Sequence, residues 1–226
     1  EQRGIPQFLT GIREAGNRAS RIVTDMLAFS RRSNAESESA VVADMLDTVL
    51  RLATSDYDLK KNYDFRRIEI IRDYDPALKT LVCDRTEIEQ VLLNLIKNAA
   101  HALATENRAS QPQILLRTRR VGDEAVIEVE DNGPGMDEAT RRRVFEPFYT
   151  TKVAGIGTGL GLSVSFFIIT EQHGGEMSVS SAPGQGACGR DRGHQFRPFD
   201  RRLRHSGQRR RCQVDPHHPR GHRGSG

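Results

Sequence analysis

Cysteine is scarce in this 226-residue chain: three residues, at 83, 188 and 212, stand far apart with no paired spacing. That excludes a disulfide framework and, with so many Lys, Arg and Glu residues, points to a reducing interior compartment. Long hydrophobic runs are missing too. Nothing reaches the ~18 apolar residues that a membrane span needs, and no signal peptide is visible. Cytoplasmic placement is the expectation, with any membrane anchor upstream. Internal repeats are absent. The chain opens at Glu1, without Met, already inside a helical pattern. An excised fragment with further modules upstream is therefore expected.

What is present is unevenly distributed. The formal net charge is +4, yet residues 187–226 hold eleven Arg and three Asp, which leaves the body at −4. The opening segment repeats Ile5, Phe8, Ile12, Ala15, Ala19, Ile22, Met26 and Phe29 at alternating spacings of three and four. That is a heptad stripe, with a polar outer face of Arg13, Glu14, Arg18 and Arg21. Such a helix needs a partner, most simply in a dimeric bundle; the plainer alternative packs it on its own domain. A Ser-rich linker follows and ends near Ala40. Amphipathic helices are then predicted over "VVADMLDTVLRLATSDY" and residues 87–103, with Asp84 or Thr86 capping the second. "RRIEIIRDYD", "TLVCD", "QILLRTRRV" and "EAVIEVED" read as strands, the last two joined by Gly122-Asp123 as a hairpin. A short helix over 137–144, a helix over 160–173 stopped by Gly174-Gly175, and a final strand in "EMSVSSAPGQG" complete the pattern. Helices mixed with a mostly antiparallel sheet imply an α+β chain, folded as a two-layer α/β sandwich.

Four stretches carry chemistry. Asn94 and Asn98 lie one turn apart on one face of the most apolar helix, where an unpartnered amide costs about 1–3 kcal/mol. "VEDNGPGM" puts Asp131 at a strand end, with Gly133 and Gly135 letting a ligand near the backbone. That carboxylate suits an exocyclic amine such as adenine's; an ordinary Asn-Gly turn is the alternative. "GIGTGLGLSVSFF" sets glycines at every second position ahead of an apolar helix, a site for phosphate oxygens or simply a loose loop. It holds no Gly-Lys-Ser/Thr, and Leu162 stands where the third glycine of a dinucleotide fingerprint would fall. Between these stretches, "FEPFYTTK" offers aromatic anchors and Lys152, a point charge for phosphate or a solvated surface lysine.

"NLIKNAAHAL", "DNGPGM", "EPFYTTK" and "GTGLGLS", in this order, resemble the ATP-binding domain of sensor histidine kinases. That domain belongs to the wider group that includes gyrase, Hsp90 and MutL. The resemblance covers about residues 40–186, and the opening helix resembles the second helix of the family's dimerisation and phosphotransfer domain. Four regions follow: 1–33, the helix; 34–40, the linker; 41–186, the catalytic ATP-binding domain; 187–226, the tail. The resemblance implies ATP and Mg²⁺ as cofactors, with Asn98 the metal ligand, Asn94 beside it, and His101 near the terminal phosphates. Asn94, Asn98, His101 and Lys152 become the catalytic set. Asp131, Gly133, Gly135, Met136, Phe148, Thr151, Gly157, Thr158, Gly159, Leu160, Gly161 and Leu162 join them in binding the nucleotide. Hydrolytic relatives carry a glutamate at the position of Asn94; an amide cannot act as that base. By resemblance to nitrogen-regulator-type kinases, a homodimer, a response-regulator receiver domain and an upstream sensory module are the implied partners.

Two features depart from that family. Its acceptor histidine opens a His-Glu-x-x-Asn-Pro type of motif, and none of the seven histidines here (101, 173, 194, 205, 217, 218, 222) has that context. The acceptor is expected upstream of Glu1. After Gly186 an Arg-rich tail replaces the expected alternating strand, like a shifted reading frame, and an exposed sheet edge would result. The tail's Cys and His spacings match no standard zinc site, its Arg content leaves nucleic acid a weaker option, and disorder is the expectation. Two other functions stay open: a non-catalytic module that binds nucleotide and dimerises, and a gyrase-like ATPase.

Overall fold

The computed structural model describes residues 38–55, 65–104, 111–122, 124–152, 157–184, 186–188 and 194–196, with scattered positions between 9 and 23. Strand β1 (Glu38–Val41) runs directly into helix α1 (Val42–Ser55). Apolar residues at 45, 46, 49, 50 and 53 give α1 one buried face. A short 3₁₀ turn (Phe65–Arg67) leads to β2 (Glu69–Asp73), β3 (Thr80–Cys83) and helix α2 (Arg85–Ala104). Asp84 caps α2, its Oδ1 accepting from the Glu87 N–H at 3.2 Å. Strands β4 (Gln113–Val121) and β5 (Glu124–Asp131) form the hairpin expected around Gly122; Asp123 lies outside the described residues.

Helix α3 (Glu138–Arg143) is capped by Asp137, whose Oδ1 accepts from Thr140 N–H. Helix α4 (Gly161–Phe167) continues as a π-helical turn (Ile168–Gln172), and Gly174 ends it at φ +64°. Short strands β6 (Ser180–Ser181), β7 (Ala187–Cys188) and β8 (His194–Phe196) follow.

The main sheet runs β2-β4-β5-β7-β6, with β8 also paired to β5; β1 and β3 form a separate antiparallel pair. Among the described strands only β2–β4 is a parallel pair. Helices α1, α2 and α4 cover one face of the main sheet. Met45, Leu46, Ile88, Leu92, Ile96, Ile114, Leu116, Ile127, Ile168 and Ile169 are fully buried between the layers. Burying each such side chain is worth about 1.5–3 kcal/mol. The other sheet face is charged, with Arg117 and Arg119 bridging to Asp73 at 2.8 and 2.6 Å. This is the two-layer α/β sandwich that the patterning implies.

Two boundaries move. Residues 38–40, assigned to the linker, pair with β3, because Ala40 is buried while Ser39 and Val41 alternate outward. The sheet also runs past Gly186. Ala125, Val126 and Ile127 of β5 pair with Phe196, Gln195 and His194, and Glu130 pairs with Cys188. The edge of β5 is therefore covered at both ends instead of exposed, and these five tail residues are strand. Of the tail's Cys and His residues weighed for zinc, Cys188 and His194 fall in β7 and β8, while residues 197–226, with His205, Cys212 and His217, lie outside the described residues. In the opening segment the described residues are helical, and Ile12 (63% exposed), Ala15 and Ala19 of the heptad stripe all face solvent.

Candidate functional site

The two asparagines sit on a face of α2 that meets loops as well as core. Asn94 donates from Nδ2 to Gly161 O and to Ser165 Oγ, both at 3.2 Å, tying the helix to the first turn of α4. Asn98, one turn on, accepts at Oδ1 from Lys152 Nζ at 2.9 Å. Another turn on, Ala102 Cβ would stand 3.3 Å from a Cβ placed on Gly133. Positions 94, 98 and 102 thus touch the three loop motifs in turn.

The first loop leaves β5 at Asp131, which is buried. Its Oδ1 accepts from Gly133 N–H at 2.9 Å and from Ala187 N–H at 3.4 Å. Burial pushes this carboxyl above its ordinary pKa, and the two backbone donors pull it partly back. Met136 N–H donates to Ser181 Oγ at 2.8 Å, and that hydroxyl donates to Gly186 O at 2.8 Å. Gly135 has φ +72°, and a Cβ there would lie 2.0 Å from Ala182 O. Only glycine meets both conditions. The loop is thereby pressed against the β6–β7 turn as a fixed wall.

The second loop closes on its own stem. Phe145 stacks at 5.0 Å from Phe166 of α4, and Tyr149 lies under the Arg143 guanidinium at 4.3 Å. Phe148 is 61% exposed and adopts φ +65°, unusual for an aromatic residue. Gly159, at φ +68°, packs on the Phe148 backbone, where a Cβ would come within 2.4 Å. A Cβ on Gly157 would meet Thr150 Oγ1 at 2.8 Å and Lys152 Cδ at 3.0 Å. Thr158 Oγ1 accepts from Leu160 N–H, while Leu160 is buried and Leu162 packs against the core. Burial, with a smaller push from Lys97, lowers the Lys152 pKa to about 8. His101 is half-buried, and burial together with the Lys152 charge lowers its pKa, so it is neutral near pH 7.

Of the residues singled out in the sequence, Asn94, Asn98, Asp131, Gly133, Lys152, Gly157 and Gly161 contact one another directly or through one loop. His101 joins by charge. Thr151 is exposed and takes part in none of these hydrogen bonds. Sequence reasoning missed Ala102, Thr150, Ser165, Ser181 and Gly186. Ala102 and Ser165 were discoverable, each one turn beyond a residue already chosen. Ser181 and Gly186 become relevant only through the sheet's return beside the first loop. His173, which lacks the acceptor motif, has a structural role: Nε2 accepts from Asp84 N–H at 3.4 Å, and Nδ1 pairs with Ile168 O at 3.1 Å.

Residues 83–201 match the family described as histidine kinase-, DNA gyrase B-, and HSP90-like ATPase. The chain is 36% identical over 202 residues to sensor kinase CckA of Brucella abortus (strain 2308), covering 80% of this chain and 20% of that protein. It is 41% identical over 127 residues to sensory histidine kinase/phosphatase NtrB of Escherichia coli O157:H7, covering 52% of this chain and 34% of that one. It therefore spans about a fifth to a third of these relatives. Among solved structures, full-length ShkA in complex with AMPPNP superposes with a TM-score of 0.63 at 27% identity, covering 84% of this chain and 38% of that one.

Proposed function

The chain belongs to the histidine kinase-, DNA gyrase B- and HSP90-like ATPase family, and from that premise we propose that it is the ATP-binding catalytic part of a two-component sensor histidine kinase. The observation that carries this reading is the single face of α2 on which Asn94, Asn98 and Ala102 meet three separate loops. One small ligand with a base, a metal and a phosphate chain would engage all three at once. The AMPPNP complex of ShkA supports a nucleotide as that ligand.

The residues fit a metal-bound triphosphate. Asn98 Oδ1 already has a cation on it, the Lys152 ammonium, and a hard amide oxygen is the kind of donor Mg²⁺ takes. Bound Mg²⁺ would neutralise phosphate oxygens along the chain being transferred. Asp131, oriented by Gly133 N–H, would accept from the adenine amine, and the fixed wall of Gly133, Gly135 and Met136 would hold the base. Lys152 would neutralise phosphate charge, while Thr151, Gly157, Thr158, Gly159, Gly161 and Leu162 would frame the phosphates, with Phe148 and Leu160 shaping the loop. Transfer to a histidine upstream of this chain then rests on positioning and charge, with no covalent step on these residues. Asn94 is no base: its Nδ2 is committed to Gly161 O and Ser165 Oγ, which argues against an ATPase.

The same reading assigns 1–33 to the dimerisation helix, takes the catalytic domain from 38 to at least the end of the family match at 201, and leaves the tail beyond it outside. The solvent-facing Ile12, Ala15 and Ala19 support pairing with a second copy. A receiver domain would take the phosphoryl group, a sensory module would lie upstream, and the compartment would be the cytoplasm. Among the described residues no helix is long and apolar enough to cross a membrane. Titration with Mg·ATP, then phosphotransfer to a supplied histidine-bearing helical domain, tests the assignment. Asn98→Ala is expected to lower transfer about a hundredfold. Binding without transfer would favour the regulatory module, and steady phosphate release would favour the ATPase.

A further inference from the structure

Lys152 is a buried cation whose described partner is a neutral amide. Its Nζ donates to Asn98 Oδ1 at 2.9 Å, and among the described residues the titratable groups coupled to its charge, Lys97 and His101, are both basic. An ammonium held this way is poorly compensated for the water it has lost. Its aliphatic stem packs beside Gly157, where a Cβ would lie 3.0 Å from Lys152 Cδ and 2.8 Å from Thr150 Oγ1. The Lys152 N–H in turn donates to Thr150 Oγ1 at 3.1 Å. One hydrogen bond thus ties the stem of the second loop to the middle of α2.

We propose that Lys152 is a positioning residue as well as a phosphate ligand: without nucleotide its ammonium stands in for the metal on Asn98, and loading exchanges it for the metal and moves it to a phosphate. This rests on the nucleotide reading above. It follows from charge. A divalent ion outcompetes an ammonium for a hard oxygen, and the displaced ammonium finds in a phosphate the anion it lacks. Loading then breaks the tie at the moment it neutralises the ligand. The stem at 148–152 is released from α2 only when phosphate is there to receive Lys152.

The test uses the nucleotide-free chain. Amide hydrogen exchange over residues 148–152 is compared in wild type, Lys152→Met, Asn98→Ala and the double variant, with calorimetric titration of Mg·AMPPNP alongside. Methionine keeps the length of the stem, and the two single variants cut the tie from opposite sides, so either one that folds decides. The expected result is about tenfold faster exchange in each single variant, since a hydrogen bond to a charged group is lost. The double variant exchanges no faster, because both remove the same interaction. Unchanged exchange in the singles, or additive effects in the double, overturns the tie and leaves the nucleotide reading standing. Faster exchange in the single variants, with a wild type that fails to bind Mg·AMPPNP, overturns the cation swap and the reading beneath it.

Discussion

The two ends of α2 treat polar groups in opposite ways. In its first turn they close on one another: Asp84 caps the helix, and its own N–H donates to His173 Nε2, whose Nδ1 pairs with Ile168 O. Fourteen residues on, at Asn98, an ammonium rests on a neutral amide beside two glycine loops. The first joins α2 to the end of the π turn after α4, and the second joins it to the stem of the second loop. They differ in what is left over. Where polar groups are mutually satisfied the contact is structural; where a charge lacks its opposite the fold is prepared for a ligand.

Breaking the wall of the functional end should have the largest effect. Gly135→Ala places a Cβ 2.0 Å from Ala182 O at φ +72°, so backbone must move. A loss of roughly 3 kcal/mol or more is expected in urea unfolding, together with loss of Mg·ATP binding. Gly157→Ala sharpens the contrast between the walls. Its obstacles are the Thr150 hydroxyl and the Lys152 stem, ends of side chains that can turn aside. It should cost about 1 kcal/mol in the same melt, while weakening nucleotide affinity more than stability implies. Equal losses from the two substitutions would mean that the second loop is as rigid as the first.

The sequence made the functional end more legible than the structural one. Asn94 and Asn98 violate the apolar pattern of their helix, and glycines at 133, 135, 157, 159 and 161 violate propensity, so each draws attention as an unexplained cost. Their grouping rested on order along the chain and on resemblance, and the fold adds the one-turn ladder through Ala102. The sheet ending was misread because composition after Gly186 obscures pairing. A strand of three residues needs only backbone groups and an open edge on β5, and side-chain patterning says little about that. The start of β1 was hidden likewise, since four residues of "ESAV" hold one buried position. The closed end of α2 was half seen: Asp84 was given a capping role, but its contact with His173 spans 89 residues, and no local pattern records it.

Glu87, at that closed end, gives the smallest and most selective probe. Its carboxyl lies 3.7 Å from His173 Nδ1, and burial, aided by the charge of Asp84, raises its pKa from 4.5 to about 7. A folded pKa above the unfolded one means that the folded chain holds its proton longer. Stability from this group is therefore full below about pH 4.5 and is lost as pH rises through about 7. His173 runs the other way, its lowered pKa costing stability as pH falls below 6.5. Glu87→Gln keeps the shape of the protonated acid and removes its ionisation. Urea melts should show a gain on the order of 1 kcal/mol at pH 8, discounted for partial solvent contact, and none at pH 4.5, with the acid-side slope from His173 unchanged. Nucleotide affinity should not move at either pH. An equal gain at both would assign the effect to packing instead of charge, and a change in affinity would mean that the two ends of α2 are coupled.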